Sequence, residues 1–470
     1  MSAVDTAWLR MESQANPMMI GAVLEFDRPI PLKALRELVN ERFLRFHRFR
    51  QCVVQEGERY YWQDDDWFDL DNHLHVIALP GKGDQKALQE LASDLNSTPL
   101  NRCHPLWQAH YVDNYRGGCV LIIRIHHCIA DGISLVRVLL SLTDEDPTAN
   151  VRTLKSRIRQ TPDQLPEWRK VMHRLRRNSR LALQQLGELA DNVREDPAYP
   201  LRLGKEGLQI SRDLMHILFS KEDPPSALKG QLCGRKVVAW SEPLMLDEVK
   251  ATGRALGGTV NDVLMSAATG ALHRFLDDSH QPAPDNYIHM AVPFNLRPLD
   301  QPITKLGNQF GLVLVPLPVQ TVCPRERFQR VHHDMLNLKQ TYQAQVSFGL
   351  LDILGRGPEL LERRALELLS RKASAVMTNV PGPGAPLYMC GAKLVKPMFW
   401  VPQTGMVGVG LSIFSYNGEV QFGIISDRSL IRRPEKVANA FVEAFRELRD
   451  MALGSGAGEG ETSRVASPVK

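Results

Sequence analysis

The stretch IIRIHHCIADGIS, residues 122–134, places two adjacent histidines at the end of an apolar run. An aspartate and a glycine stand four and five positions after His127. The apolar run from Cys119 predicts the second strand of a hairpin, and the spacing of apolar residues in 133–142 predicts a helix. Because histidine titrates near neutral pH, the pair could supply a base, ligate a metal or simply end the strand.

The alternation of side chains along a strand separates the two histidines. His126 shares its face with Arg124, whereas the face of His127 is otherwise apolar. The residues on that apolar face are Cys119, Leu121, Ile123 and Ile125. The two imidazoles should therefore point apart and not share one metal ion, and no nearby Cys/His cluster has zinc-like spacing. We expect no metal.

His127 is the candidate general base, because an apolar setting keeps an imidazole neutral and able to accept a proton. The neighbouring Cys128 should point away from it, and Cys-His catalysis needs both groups within hydrogen-bond reach, so we interpret Cys128 as a packing residue. Asp131 and Gly132 suit a tight turn. We expect Asp131 to be structural and paired with an arginine.

A second double histidine, His332 and His333, provides a control within the chain. It lies in a charged, helical stretch after Pro324, without an apolar strand before it or an Asp-Gly pair after it. A double histidine alone is thus weak evidence, and the specific feature is a strand followed by HHxxxDG.

The composition bounds the class of protein. Of 470 residues, 43% are hydrophobic and 23% charged, which is typical of globular proteins and allows two or three domains. A formal charge of +4 does not imply nucleic-acid binding. Seven dispersed cysteines suggest reduced thiols. We expect no secretory signal and no transmembrane helix, since no apolar run is long enough.

Strand-like and helix-like segments alternate, which predicts a mixed α/β fold. We expect an N-terminal unit over 1–200, a second α/β unit over 205–453 and a flexible tail over 454–470. The first unit ends in a basic amphipathic helix at 169–186. Such a helix could lie on an anionic lipid surface or be a crossover helix packed on the core, and both interpretations stay open.

Several local signals fall in the second unit. The spacing predicts a helix over 259–276 and single strands over 387–395, 406–418 and 419–427. Asn417-Gly418 between the last two is a strong hairpin signal.

His126-His127-x-x-x-Asp131-Gly132 resembles the HHxxxDG motif of acyltransferases with a chloramphenicol-acetyltransferase-like fold. These include condensation domains of peptide synthetases and plant acyl-CoA-dependent acyltransferases. Further segments resemble the bacterial wax ester synthase/diacylglycerol acyltransferase family in particular. These segments are DTAWLRMESQANPMMIG (5–21), Pro105-Leu106-Trp107, TVNDV (259–263), PFNLR (293–297), GNQF (307–310) and TNVPGP (378–383). The resemblance covers nearly the whole chain except the tail.

The resemblance implies two chloramphenicol-acetyltransferase-like domains with the active site in a tunnel between them. It implies that His127 takes the proton of an alcohol, with His126 beside it supporting the loop. The alkoxide would then attack an acyl-CoA thioester directly. Asn261 is the candidate donor to the oxyanion. Its alternative is a first-turn residue beside a cap formed by Thr259 and Asp262.

The remaining motif residues also have two interpretations each. Arg297 is expected to pair with Asp131, or else to be a surface arginine. Pro105, Leu106 and Trp107 are expected to shape the substrate pocket, with a core tryptophan as the alternative. TNVPGP is loop-forming by composition and is expected at the tunnel mouth.

The function that the resemblance implies is O-acyl transfer from acyl-CoA, making wax esters from fatty alcohols and triacylglycerol from diacylglycerol. We expect no cofactor beyond acyl-CoA as co-substrate. We also expect a cytoplasmic enzyme at the surface of the inner membrane or of lipid inclusions. The rivals are a condensation-type enzyme that uses a carrier-protein thioester and a non-catalytic lipid-droplet protein on the same fold.

Overall fold

A computed structural model describes residues 1–81, 83–148, 212–215, 217, 220–279, 287–296, 306–338 and 341–454. The helices in these ranges are α1 (Ala3–Arg10), α2 (Leu32–Leu38), α3 (Gln85–Ser97), α4 (Gly132–Leu142), α5 (Leu246–Ala255), α6 (Val260–Asp278), α7 (Pro324–Leu338), α8 (Gln343–Arg356), α9 (Glu359–Ser370) and α10 (Pro434–Gly454). A π-helical turn (Val39–Phe43) continues α2, and short 3-10 turns cover His47–Arg50 and Leu70–Asn72. The predicted basic helix at 169–186 lies outside the described residues.

The strands complete a mixed α/β architecture. They are β1 (Met19–Phe26), β2 (Gln51–Glu56), β3 (Arg59–Asp64), β4 (Leu74–Ile77), β5 (Trp107–Tyr115), β6 (Gly118–His126), β7 (Lys236–Trp240), β8 (Leu244–Met245), β9 (Ile288–Asn295), β10 (Phe310–Leu317), β11 (Ala375–Pro381), β12 (Tyr388–Met389), β13 (Ala392–Trp400), β14 (Val409–Tyr416) and β15 (Glu419–Asp427). Among the described residues they form a six-stranded sheet, a seven-stranded sheet and the β2–β3 hairpin.

The first sheet has the order β12-β13-β1-β6-β5-β4. The apolar strand β6 lies near its middle, antiparallel to β1 on one side and to β5 on the other. This position explains why both faces of β6 are buried almost throughout. The predicted hairpin of β5 and β6 is confirmed, with a bulge between Val112 and Tyr115.

The second sheet has the order β10-β9-β11-β14-β15-β7, with β8 also pairing with β15. Helices α6, α7 and α10 pack on one face and enclose a core with the sheet. The predicted helix at 259–276 is confirmed as α6. The hairpin at Asn417-Gly418 is also confirmed, and both residues have positive φ angles, 48° and 81°, as a two-residue turn of this kind requires.

The two sheets do not take consecutive halves of the chain. Strand β13 comes late in the sequence but pairs antiparallel with β1 of the first sheet, from Gly21↔Trp400 onward. A further apolar cluster joins the sheets, with Trp240 of β7 packed on Trp400 of β13 at 5.7 Å between ring centroids. The predicted boundary near residues 200–205 lies outside the described residues and stays a prediction.

Two local predictions in the second half are wrong. The single strand expected over 387–395 is a hairpin, because Cys390 and Gly391 adopt positive φ angles of 50° and 82° and reverse the chain. The loop expected for TNVPGP is a strand up to Pro381, since β11 pairs with β14 through this residue. The described pairing of β11 with β9 covers only Ala375 and Val376, so the missing N–H of Pro381 breaks no hydrogen bond on that side.

Candidate active site

His127 follows the last residue of β6 and lies against an aromatic wall. Its backbone N–H donates to the Met18 carbonyl at 2.7 Å. Its imidazole stacks on the Trp8 ring of α1, with centroids 4.4 Å apart and planes 14° apart, and also contacts Phe310 at 5.4 Å. Phe310 begins β10, so the second sheet contributes directly to the surroundings of a histidine from the first.

This burial sets the protonation state of His127. The side chain is 5% exposed. Burial lowers the pKa of His127 to about 4, because the apolar surroundings disfavour the charged imidazolium more than Asp131 and Asn308 stabilise it. Within the described part of the chain, Nδ1 makes no hydrogen bond. The imidazole is therefore neutral near pH 7 and is chemically a proton acceptor.

His126 has a different environment, as the strand alternation predicts. Its Nδ1 accepts the Cys128 backbone N–H at 3.1 Å, and its Nε2 lies 3.5 Å from Glu12 Oε1. The other oxygen of Glu12 accepts from Arg102 at 2.7 Å. Burial tends to raise the pKa of Glu12, but the contacts with His126 and Arg102 outweigh it and hold that pKa at about 2. His126 thus connects the turn after β6 to the ion pair between Glu12 and Arg102.

Asp131 caps α4, which begins at Gly132. Its Oδ1 accepts the Ser134 backbone N–H at 2.8 Å and the Ser134 hydroxyl at 2.6 Å, the pattern of a helix N-cap. Its Oδ2 accepts the Gln309 backbone N–H at 3.0 Å. Asp131 thus joins the start of α4 to residue 309, and its purely structural role stays a prediction. Its predicted partner Arg297 lies outside the described residues, so that pairing stays a prediction.

Residues 307–310, which lead into β10 of the second sheet, pack on the histidine turn, the HHxxxDG segment 126–132. The Asp131 backbone N–H donates to the Gly307 carbonyl at 3.3 Å. The Asn308 Nδ2 donates to the His127 carbonyl at 2.8 Å and to Asp5 Oδ1 at 2.9 Å. Gln309 bonds to Asp131 and Phe310 contacts the His127 ring. Every residue of GNQF therefore contacts the histidine turn.

Asn261 occupies the second position of α6. Its Oδ1 accepts from Asn379 Nδ2 of β11 at 2.9 Å. Thr259 and Asp262 form the capping box that the spacing predicts, each side chain bonding to the backbone N–H of the other. Asp262 Oδ2 also lies 2.8 Å from His332 Nδ1, so one histidine of the second pair supports the start of α6. The role of Asn261 as an oxyanion donor stays a prediction.

The Pro105-Leu106-Trp107 motif lies at the start of β5. The Leu106 carbonyl accepts the His126 backbone N–H at 2.9 Å, so the motif abuts the histidine pair through the sheet. Trp107 is buried, donates Nε1–H to the Phe49 carbonyl at 2.9 Å and stacks on His73 at 4.5 Å between centroids. These are core contacts. The expected pocket role of the motif stays a prediction.

The sequence did not single out Trp8, Asn308 or Phe310 as site residues. All three lie inside segments that carried the family resemblance, DTAWLRMESQANPMMIG and GNQF. That resemblance was the available signal, because contacts between residues more than 100 positions apart leave no periodic trace. Across the described ranges, no three His, Cys, Asp or Glu side chains gather as a metal site would require.

Two family models match the chain. The one described as the wax ester synthase/diacylglycerol acyltransferase catalytic domain matches residues 1–264, and the WS/DGAT C-terminal domain matches residues 306–449. A Mycobacterium tuberculosis relative, provisionally named a diacylglycerol O-acyltransferase, is 30% identical over 97% of this chain and 100% of its own. The O-acyltransferase WSD of Acinetobacter baylyi is 25% identical over 94% of this chain and 95% of its own.

Solved structures share the fold. The wax ester synthase/diacylglycerol acyltransferase from Marinobacter aquaeolei VT8 matches with a TM-score of 0.66 at 22% identity, over 95% of this chain and 98% of that one. The first condensation domain of the calcium-dependent antibiotic synthetase matches with a TM-score of 0.60 at 14% identity, over 96% and 95%.

The mixed sheets and the HHxxxDG turn define the class: an O-acyltransferase with the two-domain, chloramphenicol-acetyltransferase-like fold. The chain belongs to the wax ester synthase/diacylglycerol acyltransferase family, whose two domain models together span most of it. Among the helices that the structure describes, none combines the length and apolar character needed to cross a bilayer.

Proposed function

We propose that this enzyme transfers fatty acyl groups from acyl-CoA to long-chain fatty alcohols and to diacylglycerol, forming wax esters and triacylglycerol. The names of the relatives support the ester products. The single observation that carries the mechanism is His127, a buried and neutral imidazole at the end of β6. We propose that it lies in a tunnel between the two domains, where both substrates meet.

In the proposed step, His127 accepts the proton of the acceptor hydroxyl as the oxygen attacks the thioester carbonyl carbon. A C–O bond forms, and the carbonyl oxygen carries the negative charge of the tetrahedral intermediate. Collapse then breaks the C–S bond, and the CoA sulfur leaves with the proton from His127. The low pKa of His127 keeps the imidazole unprotonated before attack and makes the imidazolium a ready acid for the leaving sulfur afterwards.

The intermediate needs a hydrogen-bond donor at its oxyanion. Asn261 is our candidate. Its hydrogen bond from Asn379 engages Oδ1, which leaves the donor group Nδ2 as the end of the amide that can serve a substrate oxygen. The capping box and His332 fix the first turn of α6 around it.

Direct transfer is favoured over an acyl-enzyme by the state of Cys128. This thiol is the nucleophilic side chain next to His127 in sequence, and it is fully buried. Burial raises the pKa of Cys128 well above its usual range, so the reactive thiolate is scarce. Base and donor are the chain's own side chains, and we therefore propose no cofactor besides acyl-CoA as co-substrate.

We also propose that the enzyme works from the cytoplasm at a membrane or lipid-inclusion surface, because wax alcohols and diacylglycerol reside in lipid. The basic helix predicted at 169–186 is one candidate contact. Flotation with anionic vesicles tests this: binding that is unchanged by Arg→Glu changes at 174, 176 and 177 would remove that helix from the proposal.

The central test incubates purified protein with palmitoyl-CoA and either hexadecanol or dioleoylglycerol, following CoA release and ester formation together. We expect both signals for the wild type and a loss of at least about 100-fold for His127→Ala. His333→Ala is the matched control, since His333 is exposed and contacts Asn337, and it should retain full activity.

The alternatives give different results in the same assay. An acyl group accepted only from a carrier-protein thioester would indicate a condensation-type enzyme, whose fold this chain shares. Lipid binding by a wild type without turnover on either donor would indicate a non-catalytic lipid-droplet protein.

A further inference from the structure

A buried amide joins the N-terminal helix to the histidine turn. Asn308 is 5% exposed and Asp5 is 3% exposed. The two hydrogens of Asn308 Nδ2 go to the His127 carbonyl at 2.8 Å and to Asp5 Oδ1 at 2.9 Å. The three groups are 181 and 303 positions apart in sequence, so this is a tertiary arrangement of a proton-acceptor residue, an amide and a carboxylate.

The orientation of this amide is fixed by its neighbours. Both partners of Nδ2 are acceptors, and a flipped amide would set its oxygen against two other oxygens. Asp5 Oδ1 also accepts the backbone N–H of Asn308 at 3.2 Å, so Asp5 binds that residue twice. Arg48 lies 3.9 Å from the other oxygen of Asp5 and opposes its charge. Asp5 therefore holds Asn308 in one arrangement.

His127 needs such support because β6 ends at His126. Its N–H is held by the Met18 carbonyl of the chain entering β1, but its carbonyl points beyond the sheet hydrogen bonds and is held by Asn308. With both backbone groups fixed, the remaining freedom of the imidazole is rotation about its side-chain bonds, and stacking on Trp8 limits that rotation. Asp5 and Trp8 are three residues apart, so they lie on the same face of α1.

We infer that Asn308 and Asp5 are positioning residues of His127, and that α1 orients the base by two routes at once. Asp5 acts through Asn308 on the backbone, and Trp8 acts on the ring. Neither Asn308 nor Asp5 is inferred to contact substrate or to exchange protons. This inference rests on the proposed function only in so far as His127 is the base.

The kinetic test uses Asn308→Ala with Asn16→Ala as its matched control. Asn16 is also a buried asparagine, and it donates to the Gly405 and Val407 carbonyls and accepts from Lys236. Both variants should lose similar thermal stability. We expect kcat to fall by up to about 100-fold in Asn308→Ala, with KM for palmitoyl-CoA within about twofold of the wild type. Asn16→Ala should keep kcat.

The conservative variant Asp5→Asn keeps an oxygen that can accept from Asn308, so it should retain more kcat than Asp5→Ala. Equal kcat losses in Asn308→Ala and Asn16→Ala, or equal losses in the two Asp5 variants, would overturn the inference. A kcat loss that only tracks the unfolded fraction would do the same.

A second measurement does not depend on turnover. In histidine-labelled protein, the carbon-bound ring proton of His127 is identified by its disappearance in His127→Gln. We expect one sharp signal in the wild type and in Asn16→Ala, and a broadened or split signal in Asn308→Ala. An unchanged signal in Asn308→Ala overturns the inference even if the wild type makes no ester, whereas absent turnover with a changed signal rejects only the proposed function.

Discussion

Replacement of Trp8 by alanine should change the pH dependence of the enzyme as well as its stability. Trp8 is 5% exposed, stacks on His127 at 4.4 Å and contacts Phe310 at 5.3 Å. It is thus a large part of the apolar surroundings that lower the pKa of His127 to about 4. Water entering the space left by the indole would solvate the imidazolium and raise that pKa.

The upper limit of the effect follows from the ordinary histidine pKa of about 6.5. A return from about 4 to that value corresponds to about 3 kcal/mol between the two protonation states. At pH 5.5, His127 would be about 97% neutral in the wild type and about 9% neutral at that limit. Activity at pH 5.5 relative to pH 7.5 should therefore fall by up to about 10-fold in the variant.

Titration of His127 also makes the free energy of unfolding depend on pH. Because the folded-state pKa of His127 is lowered, the unfolded chain binds the proton more readily between about pH 4 and 6.5, and the wild type loses stability as the pH falls through that window. The variant should lose less across this window. At pH 7 it should be destabilised by about 3–5 kcal/mol, the usual cost of removing a buried tryptophan.

The assay is kcat/KM against pH for wild type, Trp8→Ala and Trp8→Phe, with urea unfolding at each pH. Trp8→Phe keeps an aromatic ring over His127 and should give an intermediate profile. Trp240→Ala is the matched control, since Trp240 is also buried but packs on Trp400. An acidic limb at the same pH in Trp8→Ala and Trp240→Ala would refute the reasoning that Trp8 sets the pKa of the base.

Two further predictions concern other buried polar groups. Asp131→Asn should cost about 1–3 kcal/mol and lower kcat, because an amide NH₂ in place of Oδ2 would face the Gln309 N–H. Urea unfolding and CoA release measure the two effects, and wild-type values for both would contradict the importance of the Asp131–Gln309 hydrogen bond. Burial lowers the pKa of Lys236 to about 8, so below pH 8 the buried charge costs up to about 3 kcal/mol of folding free energy. Lys236→Met should therefore raise stability relative to the wild type more at pH 7 than at pH 10. A stability difference that is the same at the two pH values would contradict this cost of the charge.

Local sequence patterns predicted those elements whose cause is local. The alternation along the apolar strand separates the two imidazoles: His127 contacts Trp8, and His126 contacts Glu12. The Thr259-x-x-Asp262 spacing gave the capping box, and Asn417-Gly418 gave the hairpin turn. Each is decided within a few residues, by backbone dihedral preference or by a side chain that reaches its own helix end.

The errors arose where a local pattern had a second solution. Cys390-Gly391 lacks the usual asparagine of a tight turn, so the apolar residues around it resembled one strand. TNVPGP has a loop-like composition, but β14 offers a complete edge for pairing up to Pro381. In both cases the partner strand outweighed local propensity, since most of the stabilisation of a strand comes from its neighbours.

The sequence by itself determined that an apolar strand leads into two histidines facing opposite ways and that the chain then turns at Asp131 into a helix. Only the tertiary structure decided what surrounds that histidine. Periodicity identifies which side chains are buried, not which distant segment buries them. The contacts of Trp8 and Asn308 with His127 join chain segments 119 and 181 residues apart. The second contact brings the segment that leads into β10 of the second sheet against the turn after β6 of the first. Those contacts fix the pKa and the orientation of the proposed base.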